Sequence, residues 1–257
     1  MKTPITYYGG KQTMLKHILP LIPKHDLFTE VFCGGCAVYF AKEPVKVEVI
    51  NDINMHITNF YWFAKTAYKD LKEKIDETLH SRDVHAHALY MLSKPQFFTP
   101  VQRAWAVWTL SKISFASKQD GAFGYDFSGS TTKKLHNAKD AFTEILCARL
   151  DNTTIENKNA LDVLKRYDKP FSFHFIDPPY INTNCGHYEG VWSENNLIEL
   201  LDLLPKLQGK WMLTMFPNKM IKLYSDKYGW NIHEITRKIS ASKIKRREQT
   251  EWIITSY

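Results

Sequence analysis

Asp177-Pro178-Pro179-Tyr180 is the stretch of this chain whose residue types and spacing best suit chemistry. A carboxylate, two imino acids and a phenol follow directly on the apolar run Phe171-Ser172-Phe173-His174-Phe175-Ile176. Neither proline carries an N–H, and each forces the residue before it into an extended conformation. The product is a stiff loop with a fixed carboxylate, carbonyl oxygens lacking local donors and an aromatic ring one step on. Such a loop can grip an exocyclic amine by its two hydrogens while the ring packs on the attached heterocycle. A second constellation is Glu30-Val31-Phe32-Cys33-Gly34-Gly35, a strand-like run ending in paired glycines, where a ligand can approach the backbone closely. About 20 residues on, Asp52 closes the next apolar run, and an acid there can accept hydrogen bonds from both hydroxyls of a ribose.

The periodicity around these groups predicts the scaffold that must position them. Residues 1–65 alternate helix and strand signals: a helix over 11–21, a buried strand over 27–32, a helix opening at Cys36, and a strand over 45–50. Residues 66–150 read differently, with helical stretches at 66–79, 86–92, 101–114 and 138–149 and no strong strand between them. Within them, 118–130 interleaves Gly121, Gly124 and Gly129 with Phe123, Tyr125 and Phe127, which predicts a short hairpin or an exposed aromatic loop. Strands return at 153–155, 171–176, 210–215 and 252–256, with a helix over 197–207. The expected architecture is therefore one mostly parallel α/β sheet domain, 1–65 and 151–257, interrupted by a helical module at 66–150. Open α/β sheets bind ligands beyond the carboxyl ends of their strands, so the three corners are expected to face one crevice.

The 257 residues, 44% hydrophobic and 14% aromatic, suffice for a sizeable core. The net charge of +7 and pI near 9.0 tilt the reading toward a polyanionic partner. No run has membrane-spanning length and no charged-then-apolar leader opens the chain, so a soluble, cytoplasmic protein is expected. Cys33 and Cys36 have CxxC spacing, but Cys147 and Cys185 stand too far apart to complete a zinc set, and His85 and His87 are isolated. The thiols are read as small packing residues and no metal site is expected. His17, His25, His56, His174 and His187 show no functional spacing, and Trp105 with Trp108, three apart on a helix, reads as core.

Taken in order, Tyr7-Tyr8-Gly9-Gly10-Lys11, Val31-Phe32-Cys33-Gly34-Gly35, Asn51-Asp52-Ile53-Asn54, the helical insert, Asp177-Pro178-Pro179-Tyr180 and Glu251-Trp252-Ile253-Ile254 form a specific series. In this series the chain resembles the Dam-type (D12-class) DNA adenine-N6 methyltransferases, which use S-adenosylmethionine. The resemblance implies a Rossmann-like, mostly parallel seven-stranded sheet with an inserted helical DNA-recognition module. It implies cofactor contacts from Tyr7, Lys11, Phe32, Gly34 and Gly35, a ribose contact from Asp52, and Asn159-Ala160-Leu161-Asp162 beside the cofactor's adenine, with Asp162 counted among the cofactor residues. Asp177, Pro178, Pro179 and Tyr180 become the catalytic group acting on an adenine flipped from the duplex, with Asp177 also touching the cofactor.

Double-stranded DNA is then the expected partner, alongside a possible cognate restriction endonuclease, and the chain is expected to be a monomer or weak dimer. Lys112, Lys118, Lys133 and Lys134 are candidate phosphate contacts, and Phe123, Tyr125 or Phe127 are candidates to enter the duplex, the competing reading being a small core beneath the loop. The run Lys243, Lys245, Arg246 and Arg247 reads either as a DNA-facing loop or as a solvated face. Asn182, Tyr188 and Trp192 follow the catalytic loop closely enough to cover a base. Two positions depart from the family: Cys36 replaces a small residue, and Phe115-Ala116-Ser117-Lys118 stands where GATC-recognising members carry an Asn-Gly-Leu-Tyr-Arg-like run. Competing readings are a cytosine-N4 methyltransferase, a catalytically silent DNA-binding protein on the same scaffold, and a thiol-redox protein built on Cys33 and Cys36.

Overall fold

Seven strand-length runs pair into one sheet of order β3-β2-β1-β4-β5-β7-β6: β1 (Leu27–Glu30), β2 (Val47–Asn51), β3 (Thr153–Glu156), β4 (Ser172–Ile176), β5 (Lys210–Met215), β6 (Asn231–Ile239) and β7 (Arg247–Thr255). The structure is a computed structural model describing residues 1–181, 192–239 and 247–257. The first five strands run parallel, whereas β7 lies antiparallel to both β5 and β6. β1, β4 and most of β5 are buried on both faces, so their few polar residues, among them Thr29, Glu30 and His174, are buried as well. Strand order reverses between β1 and β4, and that switch point opens a crevice beyond their carboxyl ends.

Alternate residues of the strands feed two cores. On one face Phe28, Ile50, Phe173, Phe175, Met212 and Ile253 pack with α1 (Leu15–Ile18), α2 (Ala37–Ala41) and α3 (Met55–Thr66). The next five helices belong to the middle block: α4 (Tyr68–Glu77), α5 (Arg82–Ser93), α6 (Pro100–Ile113), α7 (Ser130–Ala141) and α8 (Glu144–Ala148). On the other face Val49, Ile176, Trp211, Leu213 and Ile254 pack with α9 (Ala160–Tyr167), α10 (Glu194–Leu203) and α11 (Lys219–Tyr228). The middle block shares its core with the sheet: Leu71, Ile75, Val107, Trp108, Leu135 and Phe142 join the cluster that holds Phe28 and Phe40. The insert therefore lies in sequence between β2 and β3 but is welded to one face of the sheet.

Several expected elements take a different form. The helix expected over 11–21 breaks into Lys11–Thr13, Leu15–Ile18 and Leu19–Leu21, because Pro20 cannot continue an α-helix. The stretch 138–149 splits at Phe142 into α7 and α8, with Thr143 capping the second. Of the hairpin or exposed aromatic loop expected over 118–130, the loop is what forms, with Tyr125 and Phe127 exposed and an isolated bridge from Ser114 to Phe123 in place of a ladder. α3, α9, α11 and β6 are not among the expected elements, and the antiparallel partner β7 is what fixes β6.

His174 sits fully buried in β4, with Nδ1 2.8 Å from the Thr29 hydroxyl and Nε2 3.6 Å from Asp168, too long for a hydrogen bond. Burial pushes its imidazole down to about 4, only partly opposed by the Asp168 carboxylate. A depressed histidine leaves stability intact above its unfolded value of 6.5 and removes it as pH falls toward about 4. We expect the unfolding free energy from urea titrations to drop over that interval by up to about 3 kcal/mol in total, at most about 1.4 kcal/mol per pH unit. His174→Asn should flatten the slope; an identical pH dependence in that variant removes His174 as its source.

Candidate active site

The three corners read from the sequence do meet at the carboxyl ends of β2, β1 and β4. One cavity of about 350 Å³ is lined by Tyr7, Lys11, Phe32, Gly34, Gly35, Asp52, Asp177, Pro178, Pro179 and Tyr180. That volume falls in the range of roughly 300–1,000 Å³ typical of small-molecule sites.

At the glycine corner, Gly34 has φ +42°, and a Cβ there would stand 2.7 Å from the Tyr7 ring. The glycine thus serves first to admit Tyr7 against the corner, so that the ring becomes a wall of the cavity. Cys36 follows in the left-handed region, φ 53°, as the residue before α2. Asp52 accepts the Gly34 N–H on one carboxylate oxygen and the Asn54 N–H on the other, both at 2.9 Å. Each oxygen retains a lone pair toward the cavity. Burial raises the Asp52 carboxyl against the pull of those two donors. Glu30, at the end of β1, accepts the Tyr39 N–H at 2.7 Å, and burial pushes it up to about 8. At neutral pH it is mostly protonated.

Asp177 follows β4 directly. Its Oδ1 accepts the Thr214 hydroxyl at 2.7 Å, and Oδ2 lies 2.7 Å from Lys11 Nζ. Burial raises the Asp177 carboxyl, while the Lys11 ammonium beside it pulls the other way. Lys11 is 5% exposed, donates to the Gly9 carbonyl at 3.0 Å and reaches Glu251 Oε1 at 3.4 Å. The Tyr180 hydroxyl donates to Glu251, and its ring meets Phe216 edge-on with centroids 4.5 Å apart. Lys11 Nζ lies 4.9 Å from the Tyr180 ring centroid. The ring therefore reaches the cavity from within a packed set of neighbours.

The lining suits S-adenosylmethionine. Among the described residues, carboxyl groups (Glu30, Asp52, Asp177, Glu251) outnumber cations (Lys11, Arg237), which favours a ligand bearing positive charge. Tyr7, Phe32 and Trp192 offer aromatic surface for a planar heterocycle, with Phe32 and Trp192 edge-on at 5.1 Å. Asp162 does not join them. It is exposed on the first turn of α9, because Asn159 caps that helix and starts it at Ala160; Asn159 and Ala160 line the cavity instead. Sequence reading also missed Arg237, Gln249 and Glu251 on β6 and β7, and Phe216 after β5. The signal available was Glu251, an acid leading the apolar run Trp252-Ile253-Ile254.

The middle-block candidates divide. Phe123 is half-buried between His80, at 4.7 Å, and His85, at 5.8 Å, with the Arg82 guanidinium 5.1 Å away. Its ring is held within this packing of its own loop. Tyr125 is 57% exposed and Phe127 99% exposed, the two rings edge-on. Lys133 and Lys134 are exposed on α7. Lys112 is half-buried, its Nζ 3.4 Å from Thr6 Oγ1, and desolvation pushes its ammonium down to about 8. Lys118 lies over the Tyr8 ring at 4.6 Å, and Gln119 accepts from the Asn54 side chain at 3.2 Å, which ties this loop to the mouth of the cavity. Asn182, Tyr188, Lys243, Lys245 and Arg246, and the Arg247 side chain, lie outside the described residues, as do Cys185 and His187. Cys33 and Cys36 are buried free thiols pushed up by burial, the opposite of an activated redox pair.

Strand order and lining together define an α/β fold of the S-adenosylmethionine-dependent methyltransferase class. The profile of the D12 class N6 adenine-specific DNA methyltransferase family matches residues 7–241, and the chain belongs to that family. Among its relatives, the type II methyltransferase M.FokI of Planomicrobium okeanokoites is 24% identical over 299 residues, 100% of this chain and 43% of the relative. Modification methylase StsI of Streptococcus sanguinis is 26% identical over 227 residues, 80% of this chain and 34% of the relative. The chain spans less than half the length of either. Among solved structures, precorrin 8W decarboxylase of Methanobacterium thermoautotrophicum overlays with a TM-score of 0.42 at 12% identity, covering 100% of this chain and 96% of that one. Among the described residues, no helix is long and apolar enough to cross a membrane.

Proposed function

We propose that this chain methylates the N6 amine of an adenine flipped out of double-stranded DNA, with S-adenosylmethionine as donor. The observation that carries this is the placement of Asp177, Pro178 and Tyr180 in the same cavity as the glycine corner and Asp52. When bound, S-adenosylmethionine supplies a methyl carbon on a positively charged sulfur. Tyr7, Phe32, Gly34, Gly35 and Asp52 form the cofactor side, with Lys11 fixing Asp177 from beneath.

An adenine N6 is a weak nucleophile because its lone pair is delocalised into the ring. Asp177 accepts one amine hydrogen and the Pro178 carbonyl the other, which localises that lone pair and favours the nitrogen as positive charge develops on it. The acceptors are oriented before the substrate arrives, by Thr214 and Lys11 on one side and by proline geometry on the other, so no reorganisation is needed during reaction. A carboxyl raised by burial is also the better base for the proton the nitrogen must shed afterwards.

Residues 1–65 and 151–257 carry this chemistry in the proposal, and 66–150 reads the target. Lys118, Lys133 and Lys134 meet phosphates, and Tyr125 with Phe127, rather than Phe123, approaches the bases. A cognate restriction endonuclease belongs to the same reading, supported by the relatives' names, a type II methyltransferase and a modification methylase. The test is to incubate purified protein and cofactor with DNA of mixed sequence, then locate and identify modified bases. N6-methyladenine in a fixed sequence context is the expected product; N4-methylcytosine or unmodified DNA overturns the proposal.

A further inference from the structure

We propose that Glu251 is a positioning residue that holds Tyr180 in register with Asp177, an inference that rests on the methyl-transfer reading above. Glu251 lies on β7, which pairs with β5 so that Trp252 is opposite Met215, and this register brings the carboxylate to the carboxyl end of β5 beside the catalytic loop. It is 1% exposed, and a carboxylate withdrawn so far from water must be held by donors. Three converge on it: the Tyr180 hydroxyl and Lys11 Nζ on Oε1, and Arg237 Nη2 on Oε2 at 2.8 Å. Arg237 is itself tied to the Thr13 hydroxyl, so the carboxylate is fixed from β6 as well as from the N-terminal segment.

The consequence falls on Tyr180. A phenol next to two carboxylates has a choice of acceptor, and Thr214, which binds Asp177, stands within the same group. Donation to Glu251 turns the hydroxyl away from Asp177, leaves the remaining lone pairs of Asp177 for an incoming amine, and sets the plane of the ring against Phe216. Nothing in this arrangement requires Glu251 to touch substrate, which is why it acts by positioning.

Glu251→Gln tests the idea without opening a cavity. Lys11 and Arg237 can only donate and sit on opposite oxygens, so the amide must set its N–H₂ against one of them and disturbs the Tyr180 contact. A misplacement of about 1 Å costs on the order of 10²-fold in rate. We expect E251Q to lower kcat at saturating cofactor by about 10-fold or more, with calorimetry reporting the change in cofactor affinity separately and thermal unfolding lowered in midpoint but still cooperative. Tyr180→Phe should cost a similar factor, and the double variant should lose less than about threefold beyond either single change, because one contact has been removed twice. Fluorescence of 2-aminopurine at the target position, an optical report of base seating independent of methyl transfer, should fall in both single variants. An E251Q or Y180F enzyme within twofold of wild type overturns the inference, as does full multiplication of the two effects. If instead the wild-type protein methylates no DNA, it is the underlying functional reading that fails.

Discussion

Asp177→Asn is expected to slow methyl transfer by about 10³-fold, the largest single loss the site can show. The substitution keeps the size of the side chain and one acceptor oxygen but removes the charge that favours a nitrogen becoming positive. Loss of one preorganised electrostatic partner elsewhere costs about 10²–10³ in kcat, and here the partner is fully charged and nearly enclosed. The loss should appear in kcat rather than as failure to fold. Lys11 keeps Glu251 within 3.4 Å, so it is not stranded without an anion. Single-turnover transfer of labelled methyl groups to DNA, beside thermal unfolding of the same protein, separates the two effects. A variant transferring at the wild-type rate would remove Asp177 from the chemistry.

The parts of this site that were legible in the sequence are those made by local stretches of chain. Asp177-Pro178-Pro179-Tyr180 announces itself because prolines fix geometry residue by residue, and the glycine corner because Gly34, at φ +42°, has no room for a Cβ where Tyr7 presses. Strands buried on both faces were readable for a related reason: Leu27-Phe28 in β1, Phe173, Phe175 and Ile176 in β4 and Trp211-Met212-Leu213 in β5 concentrate large apolar residues in short runs. What escaped was set by pairing over long separations. Glu251 and Arg237 reach the cavity because β7 inserts antiparallel between β5 and β6; the acid leading Trp252-Ile253-Ile254 marks Glu251 as unusual, but its partner strand and so its place in the cavity are set only by that pairing. Asp162 failed in the opposite sense. Its neighbours Asn159 and Ala160 line the cavity, but one helical turn swings the carboxylate to solvent. Phe123 resembled its exposed neighbours Tyr125 and Phe127 in type and spacing, and only the packing of His80, His85 and Arg82 around it distinguishes an anchor from a probe.

Lys11→Met carries the second large effect, and its signature lies in the pH dependence. The ammonium sits 2.7 Å from Asp177 and 3.4 Å from Glu251, and methionine replaces its stem while deleting the charge. Burial already raises the Asp177 carboxyl, and Lys11 is the chief force holding it down. Without that cation, the carboxyl titrates higher still, so more of it is protonated near neutral pH and unable to accept an amine hydrogen. The sign is therefore fixed: activity falls most at low pH and recovers as pH rises through the new titration. An adjacent opposite charge is worth about one to three pH units to an aspartate, so the acidic limb of the profile should move up by about one pH unit or more, with kcat/KM on that limb falling by about 10-fold or more. Lys11→Arg, which retains the charge, should leave the limb near its wild-type position even if rate suffers from the larger head group. Should the ratio of wild-type to Lys11→Met activity stay constant from pH 6 to pH 9, Lys11 acts through contact alone and the electrostatic account of Asp177 is wrong.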